Sequence, residues 1–233
     1  MFSNELWHQP SSAGFTIDQS CRFEYENDTT LNRTNSFSAI TTFTFSTWFK
    51  RDALGGDMGG LYAFVLKCDS NKGVGFTDGN KITVLNGSSH AFSTPTHTDT
   101  SNWHHLLLSV NSGTGTAFVD GVSQSSNGGM QLVGGADGEA IGICNYGTNN
   151  FDGLLAQTAL IDGQALTYTS FTETVDGVLK PIDISDLTFG TQGFLLNYET
   201  SSNLGNDSSG NNNDYVSTGM AADHQVTNDT PTT

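Results

Sequence analysis

The sequence predicts an all-β sandwich of two antiparallel sheets, and three observations carry that prediction. First, the composition does not suit helices. The chain has 233 residues, 27 of them Gly and 15 of them Phe, with only 14% charged residues. Gly, Ser, Thr and Asn dominate over the helix formers Ala, Leu, Glu and Lys, and Phe, Thr and Val suit pleated strands. Second, turn signals recur along the chain. Asp-Gly stands at Asp78, Asp120, Asp137, Asp152, Asp162 and Asp176, and Asn-Gly at Asn86 and Asn127. Asp and Asn tolerate positive φ and Gly adopts it freely, so these pairs close tight hairpins. Third, the stretches between them are short apolar runs, the pattern of a sandwich or barrel.

Taken in order, the expected strands are Cys21–Tyr25, Phe43–Phe49, Leu61–Lys67, Lys81–Leu85, Trp103–Val110, Thr116–Val119, Ala140–Cys144, Leu154–Ile161 and Gly193–Tyr198. In FTFSTWF, Phe43, Phe45, Thr47 and Phe49 share one face, and Thr44, Ser46 and Trp48 the other. LYAFVL and LLAQTALI are apolar on both faces, so these strands need cover outside the sandwich as well, from loops or from partner subunits. Only Gly163–Phe171 suits a helical turn. The composition shifts after Asn203, where SSGNNNDY reads as turns and DHQVTNDTPTT as an extended tail.

The charge excludes some partners. The net charge is −16, from 8 Lys and Arg against 24 Asp and Glu. Nucleic acid and anionic membrane surfaces both need a cationic face that this chain cannot build. The three cysteines, Cys21, Cys68 and Cys144, form no CxxC pair and are expected as buried thiols, as suits synthesis in a reducing cytosol. The stretch MFSNELWHQPSSAGF has no basic or apolar region, so no signal peptide is expected, and the longest apolar runs are too short to span a bilayer.

Three segments carry a family resemblance. Cys21–Arg51 joins a strand ending in an aromatic to a strand bearing a Trp. Asn102–Val122, NWHHLLLSVNSGTGTAFVDGV, joins a Trp-His strand to a hairpin ending in Asp-Gly. Ile141–Leu166 is a strand pair around an aromatic-x-Gly turn. Together they resemble the laminin-G-like, concanavalin A-like lectin/glucanase domains, which implies a jelly-roll sandwich over residues 1–198, with 1–14 as an N-terminal arm and 199–233 as an extended tail toward neighbouring subunits. FLLNYETSSNLGNDSSGNNNDY resembles the first strand of such modules yet comes last. A permuted arrangement is implied, in which Gly193–Tyr198 either pairs beside the N-terminal strands or completes the sandwich of the next subunit.

The runs FDGLLAQTALIDGQALTYTSF, GFLLNYETSSNLGNDSSGNNNDY and VTNDTPTT also resemble virion structural proteins of tailed bacteriophages, especially marine ones. That resemblance implies a non-enzymatic head decoration or fibre-associated module, made in the host cytoplasm and residing in the virion. Its partners would be other virion proteins, as a homo-oligomer or bound to a lattice. The alternative is a carbohydrate-binding module for host-surface glycans, and a glycan hydrolase ranks below both.

The candidate sites follow. His104 and His105 are adjacent on a strand, so their rings point to opposite faces and cannot grip one metal. Trp103 should pack, with one of the two histidines near the core, its nitrogens hydrogen-bonded, and the other facing water. Glu24 and Glu26 share a strand face, but the alternating acid pattern of glucanases is incomplete, so no catalytic residue is expected and the protein is read as no enzyme. Sugar binding falls on the NYGTNN loop, through Asn145, Tyr146, Asn149 and Asn150, with Tyr62 and Trp7 as other aromatic candidates. No cofactor is expected unless it is calcium. The family's loop site would place that ion on Asp52, Asp57 and Asn145.

Overall fold

The computed structural model describes residues 14–34, 38–55, 62–69, 72–87, 89–132, 141–144 and 150–232. Along the chain run β1 (Ser20–Phe23), β2 (Thr30–Arg33), β3 (Phe43–Arg51), β4 (Tyr62–Asp69), β5 (Lys72–Thr77), β6 (Ile82–Asn86), β7 (Ser89–Phe92), β8 (His104–Asn111), β9 (Thr114–Val119), β10 (Val122–Asn127), β11 (Ile141–Ile143), β12 (Gly153–Asp162), β13 (Thr172–Val175), β14 (Val178–Pro181), β15 (Phe194–Leu196), β16 (Val216–Thr218) and β17 (Gln225–Val226). The first sheet has the order β10-β9-β8-β3-β12-β1-β17, with β15 also on β12. The second has the order β16-β2-β11-β4-β5-β6-β7, and β13–β14 is a separate hairpin. All strand pairings in the two large sheets are antiparallel. This is the jelly-roll sandwich the sequence predicts.

The alternation in β3 sorts its side chains as expected. Phe43, Phe45 and Phe49 enter the main core between the sheets, together with Leu106 and Leu108 of β8 and Val74, Phe76 and Val84 of the second sheet. Thr47 shares their face and bonds the Thr158 hydroxyl at 2.8 Å, and Tyr198 donates to that same hydroxyl at 2.7 Å. Three hydroxyls thus satisfy one another inside an apolar core. Cys21, Cys68 and Cys144 are all buried, and burial pushes the Cys21 and Cys144 thiols up, away from the reactive thiolate.

The outer face of the first sheet is covered by the chain itself. Leu107, Ala159, Ile161 and Leu195 on the sheet pack against Phe171, Ile184 and Phe189 of residues 163–192, forming a second core. That explains why LLAQTALI is apolar on both faces. The helical turn expected in Gly163–Phe171 is a 3-10 turn over Tyr168–Ser170.

The permuted pairing is also visible. The first half of β12, Gly153–Leu155, pairs with β1, and the second half, Thr158–Leu160, pairs with β15. Between the halves the register shifts, and Gln157 sits at φ 45°. This β-bulge bends β12 so that a late strand continues the edge begun by the first one. Within this chain Gly193–Tyr198 therefore pairs beside the N-terminal strands. Residues 199–232 also run over the chain's own sandwich: β16 pairs with β2 and β17 with β1. The SSGNNNDY loop is tied down by Asp207, whose carboxylate accepts the Leu195, Ser209 and Asn213 amides at 2.8–2.9 Å.

One local expectation is corrected. The first strand stops at Phe23, and Tyr25–Asn27 is a 3-10 turn. Glu24 and Glu26 therefore do not stand as an i, i+2 pair on a strand, because the Glu24–Thr29 backbone bonds close a turn there.

Candidate functional site

The site begins with the Trp103–His104–His105 stretch. Strand alternation sends Leu107 to the second core and Leu106 and Leu108 to the main one. His105 is 1% exposed, lies 5.3 Å from the Trp48 ring, and has its Nε2 2.8 Å from Ser46 Oγ. Burial lowers its pKa from 6.5 to about 4. The expectation that both ring nitrogens find partners is half met, since Nδ1 has none among the described residues.

His104 is half-buried. Its Nδ1 lies 2.6 Å from Asp120 Oδ2 and its Nε2 3.4 Å from Asp99 Oδ2. The hydrogen bond to Asp120 raises its pKa, against the opposing effect of burial. Asp120 also accepts the His105 amide at 2.8 Å, so the Asp-Gly turn fixes both histidines. Asp99 accepts the Ser101 amide at 2.8 Å and the Asn102 side chain at 2.8 Å, and these bonds hold its pKa down at about 2. Trp103 is anchored from the far end of the chain: its Nε1–H donates to Asp229 Oδ1 at 2.8 Å, and Lys50 Nζ meets Asp229 Oδ2 at 2.8 Å.

Two grooves open here. One, of about 510 Å³, is lined by Trp48, Trp103, His104, Asp120, Tyr168 and Leu179 among others. The other, of about 600 Å³, lies over the outer faces of β8 and β9, with Ser109, Asn111, Thr116, Phe118, Leu166 and Tyr168 in its lining. Both volumes lie in the range of about 300–1,000 Å³ usual for small-ligand sites. Tyr168 lines both grooves, and the two together are termed the trough. Its ring lies over Gly121, where a Cβ would come within 2.9 Å of the ring and where φ is +76°. The trough thus presents three half-buried aromatic rings, Trp103, Tyr168 and Phe118, beside carboxylate, hydroxyl and amide groups.

The loop candidates stand elsewhere. Asp57, Asn145, Tyr146 and Asn149 lie outside the described residues, as does Trp7. Asn150 is 1% exposed, and its amide reaches Asp28 Oδ1 at 3.4 Å. Asp52 is exposed and pairs with Arg22 at 3.2 Å. Asp152 next to it accepts the Tyr25 amide at 3.2 Å, and burial raises its pKa, helped by the charges of Asp52 and Glu24. Among the described residues no group of three or more His, Cys, Asp or Glu is arranged to hold a metal. A third depression, about 260 Å³, sits over the Gln157 bulge with Asp18, Asp183 and Glu199 on its walls. The sequence reading missed the trough because Tyr168 and Leu166 come from a connection without periodicity. The available signal was Asp120-Gly121 at the end of the hairpin that follows a Trp-His strand.

Comparison with known proteins follows the geometry. The fold is similar to a Bacteroides ovatus protein provisionally assigned as carbohydrate binding, with a TM-score of 0.68 and 14% identity over 94% of this chain and 62% of that one. The chain therefore spans less than two thirds of that relative's length. It is also similar to domain 4 of an extracellular GH43 arabinanase from Geobacillus stearothermophilus, solved with arabinotriose, with a TM-score of 0.50 and 18% identity over 67% of this chain and 76% of that one. No curated protein matches the chain. The family model of the concanavalin A-like lectin/glucanases superfamily, in its laminin G form, matches residues 23–170. With that match over more than half its length and this sandwich, the chain belongs to the concanavalin A-like lectin/glucanase superfamily.

Proposed function

We propose that this domain is a non-enzymatic carbohydrate-binding module whose ligand lies in the trough through Trp103, Tyr168 and Phe118. The observation that carries the reading is the run of aromatic rings flanked by Asp120, Asn102, Ser109 and Thr116. Aromatic faces take the apolar C–H faces of sugar rings, while carboxylates, amides and hydroxyls take their hydroxyl groups. The trough is also held ready: Asp229 fixes Trp103, Asp120 fixes His104, and Gly121 seats Tyr168. Ordering these groups before binding lowers the cost of binding. The kind of ligand named for the two structural relatives supports the same class.

The test is a binding isotherm against a panel of soluble polysaccharides. Trp103→Ala should weaken binding by about 30-fold, the effect of losing a central anchor worth about 2 kcal/mol. Binding unchanged in both Trp103→Ala and Tyr168→Ala would remove the trough from the reading. Turnover of any polysaccharide would overturn the non-enzymatic part. Calcium on Asp52, Asp57 and Asn145 is tested separately, through a rise in Tm with added Ca²⁺ that Asp52→Asn abolishes.

A second reading, residence in a phage particle as a decoration or fibre-associated module, is supported by the resemblance of the runs GFLLNYETSSNLGNDSSGNNNDY and VTNDTPTT. Its partners there would be other virion proteins or further copies of this chain. Mass spectrometry of purified particles tests it, and absence of the chain from them counts against it.

A further inference from the structure

The geometry points to a neutral glycan chain, not an acidic or sulfated one, as the ligand of the trough, which is to run across Tyr168 from one groove to the other. The inference rests on the carbohydrate-binding reading and adds the charge class of the ligand. It follows from where the cations are. All eight Lys and Arg of the chain lie among the described residues, and none lines either groove. Arg33 and Arg51 are buried. Lys67, Lys72 and Lys81 belong to the second sheet or its turn. Arg22 pairs with Asp52, and Lys50 with Asp229. Lys180 stands opposite Glu173 on the β13–β14 hairpin.

The charge left at the trough is negative. His104 is bracketed by Asp120 and Asp99, so even a protonated ring leaves one excess negative charge there. An acidic sugar in the groove would meet carboxylates with no free guanidinium or ammonium, the groups that recognise carboxylate and sulfate. The chain's net charge of −16 repels a polyanion before contact as well.

The experiment compares the intact chain on neutral polymers (arabinan, xylan and a β-glucan) with anionic ones (alginate and a sulfated galactan), by affinity electrophoresis and calorimetry at low and at high salt. At least one neutral polymer should bind at least ten-fold more tightly than either anionic one, with little dependence on salt. Asp120→Asn, which tolerates the left-handed turn and still accepts the His105 amide, should narrow that preference several-fold; Asp223→Asn, which removes an exposed carboxylate outside both grooves, should leave it unchanged. Tighter binding of an anionic polymer, in a manner that Trp103→Ala abolishes, overturns the neutral class while leaving the trough as a glycan site. Binding of no polymer in either set overturns both readings.

Discussion

Acidification from pH 7 to pH 4 should remove about 3 kcal/mol of stability through one side chain, His105. Its ring is enclosed by Trp48 at 5.3 Å and Phe171 at 6.2 Å, and its Nδ1 has no partner among the described residues. Burial lowers its pKa from 6.5 to about 4, and the charge of Asp120 only partly opposes the shift. In the unfolded chain the same ring takes up a proton once the pH falls below about 6.5, while the folded protein keeps it neutral. The contribution is therefore fully present above pH 6.5 and is lost as the pH falls toward 4. At about 1.4 kcal/mol per pKa unit, the displacement from 6.5 to 4 gives the figure of about 3 kcal/mol. His104 offsets a small part of this loss just below pH 7, equally in any His105 variant: its pKa is raised by Asp120, so its own contribution completes as the pH falls through the unfolded value and fades at higher pH. His97, half-buried and lowered by desolvation, adds a loss of the same sign, but equally in any His105 variant. Urea unfolding of the wild type and of His105→Gln, whose amide still reaches Ser46, should give midpoints that fall more steeply for the wild type between pH 6.5 and 4. The His105 ring proton, followed by NMR, should titrate near 4. Equal losses in the two proteins, or a titration near 6.5, would refute the reasoning.

Other perturbations address the covering segment and the trough. Leu107→Ala, fully buried in the second core, should cost about 2–5 kcal/mol in chemical denaturation. Gly121→Ala forces an L side chain to φ +76° with its Cβ 2.9 Å from the Tyr168 ring, which should cost about 1–2 kcal/mol, and less of it in a Tyr168→Ala background. Asp229→Ala removes the acceptor of Trp103 and the partner of Lys50. Because the pair is partly exposed, the expected loss is about 1 kcal/mol. Amide exchange over residues 225–232 should quicken in that variant.

The two-layer fold was legible because two simple signals agree. Period-two alternation in Phe43–Phe49 fixes which residues face the core, and Asp-Gly or Asn-Gly pairs fix where the strands turn. The same alternation separated His104 from His105. The cover over β12 was legible only as a need: LLAQTALI is apolar on both faces, but nothing local says what meets it. Phe171, Ile184 and Phe189 are spaced by turns and a short hairpin, so they leave no period to read, although tertiary packing gathers them into one core. The trough was hidden for a related reason. Tyr168 and Leu179 come from that same irregular cover, and the Asp229–Trp103 bond joins residues 126 apart. Chemistry within one strand shows in sequence, whereas contacts closed by distant loops do not.

The position of the trough follows from where the cover ends. Over β12, β15 and the middle of β8 the outer sheet face is apolar and is sealed by residues 163–192. Over the end of β8 and over β9 that face becomes Ser109, Asn111, Thr114 and Thr116, which can stay wet. Tyr168 and Leu166 stand at this boundary, with Phe118 on the sheet below. A boundary of this kind offers rings on one side and hydrogen-bonding groups on the other, which matches the two kinds of surface on a sugar. A purely leftover seam would be expected to hold mobile side chains without dedicated partners. Here Trp103 has an acceptor supplied from the far end of the chain, His104 lies between two carboxylates, and Tyr168 rests on a glycine whose missing Cβ makes room for it. Three separate parts of the chain thus hold one surface in place.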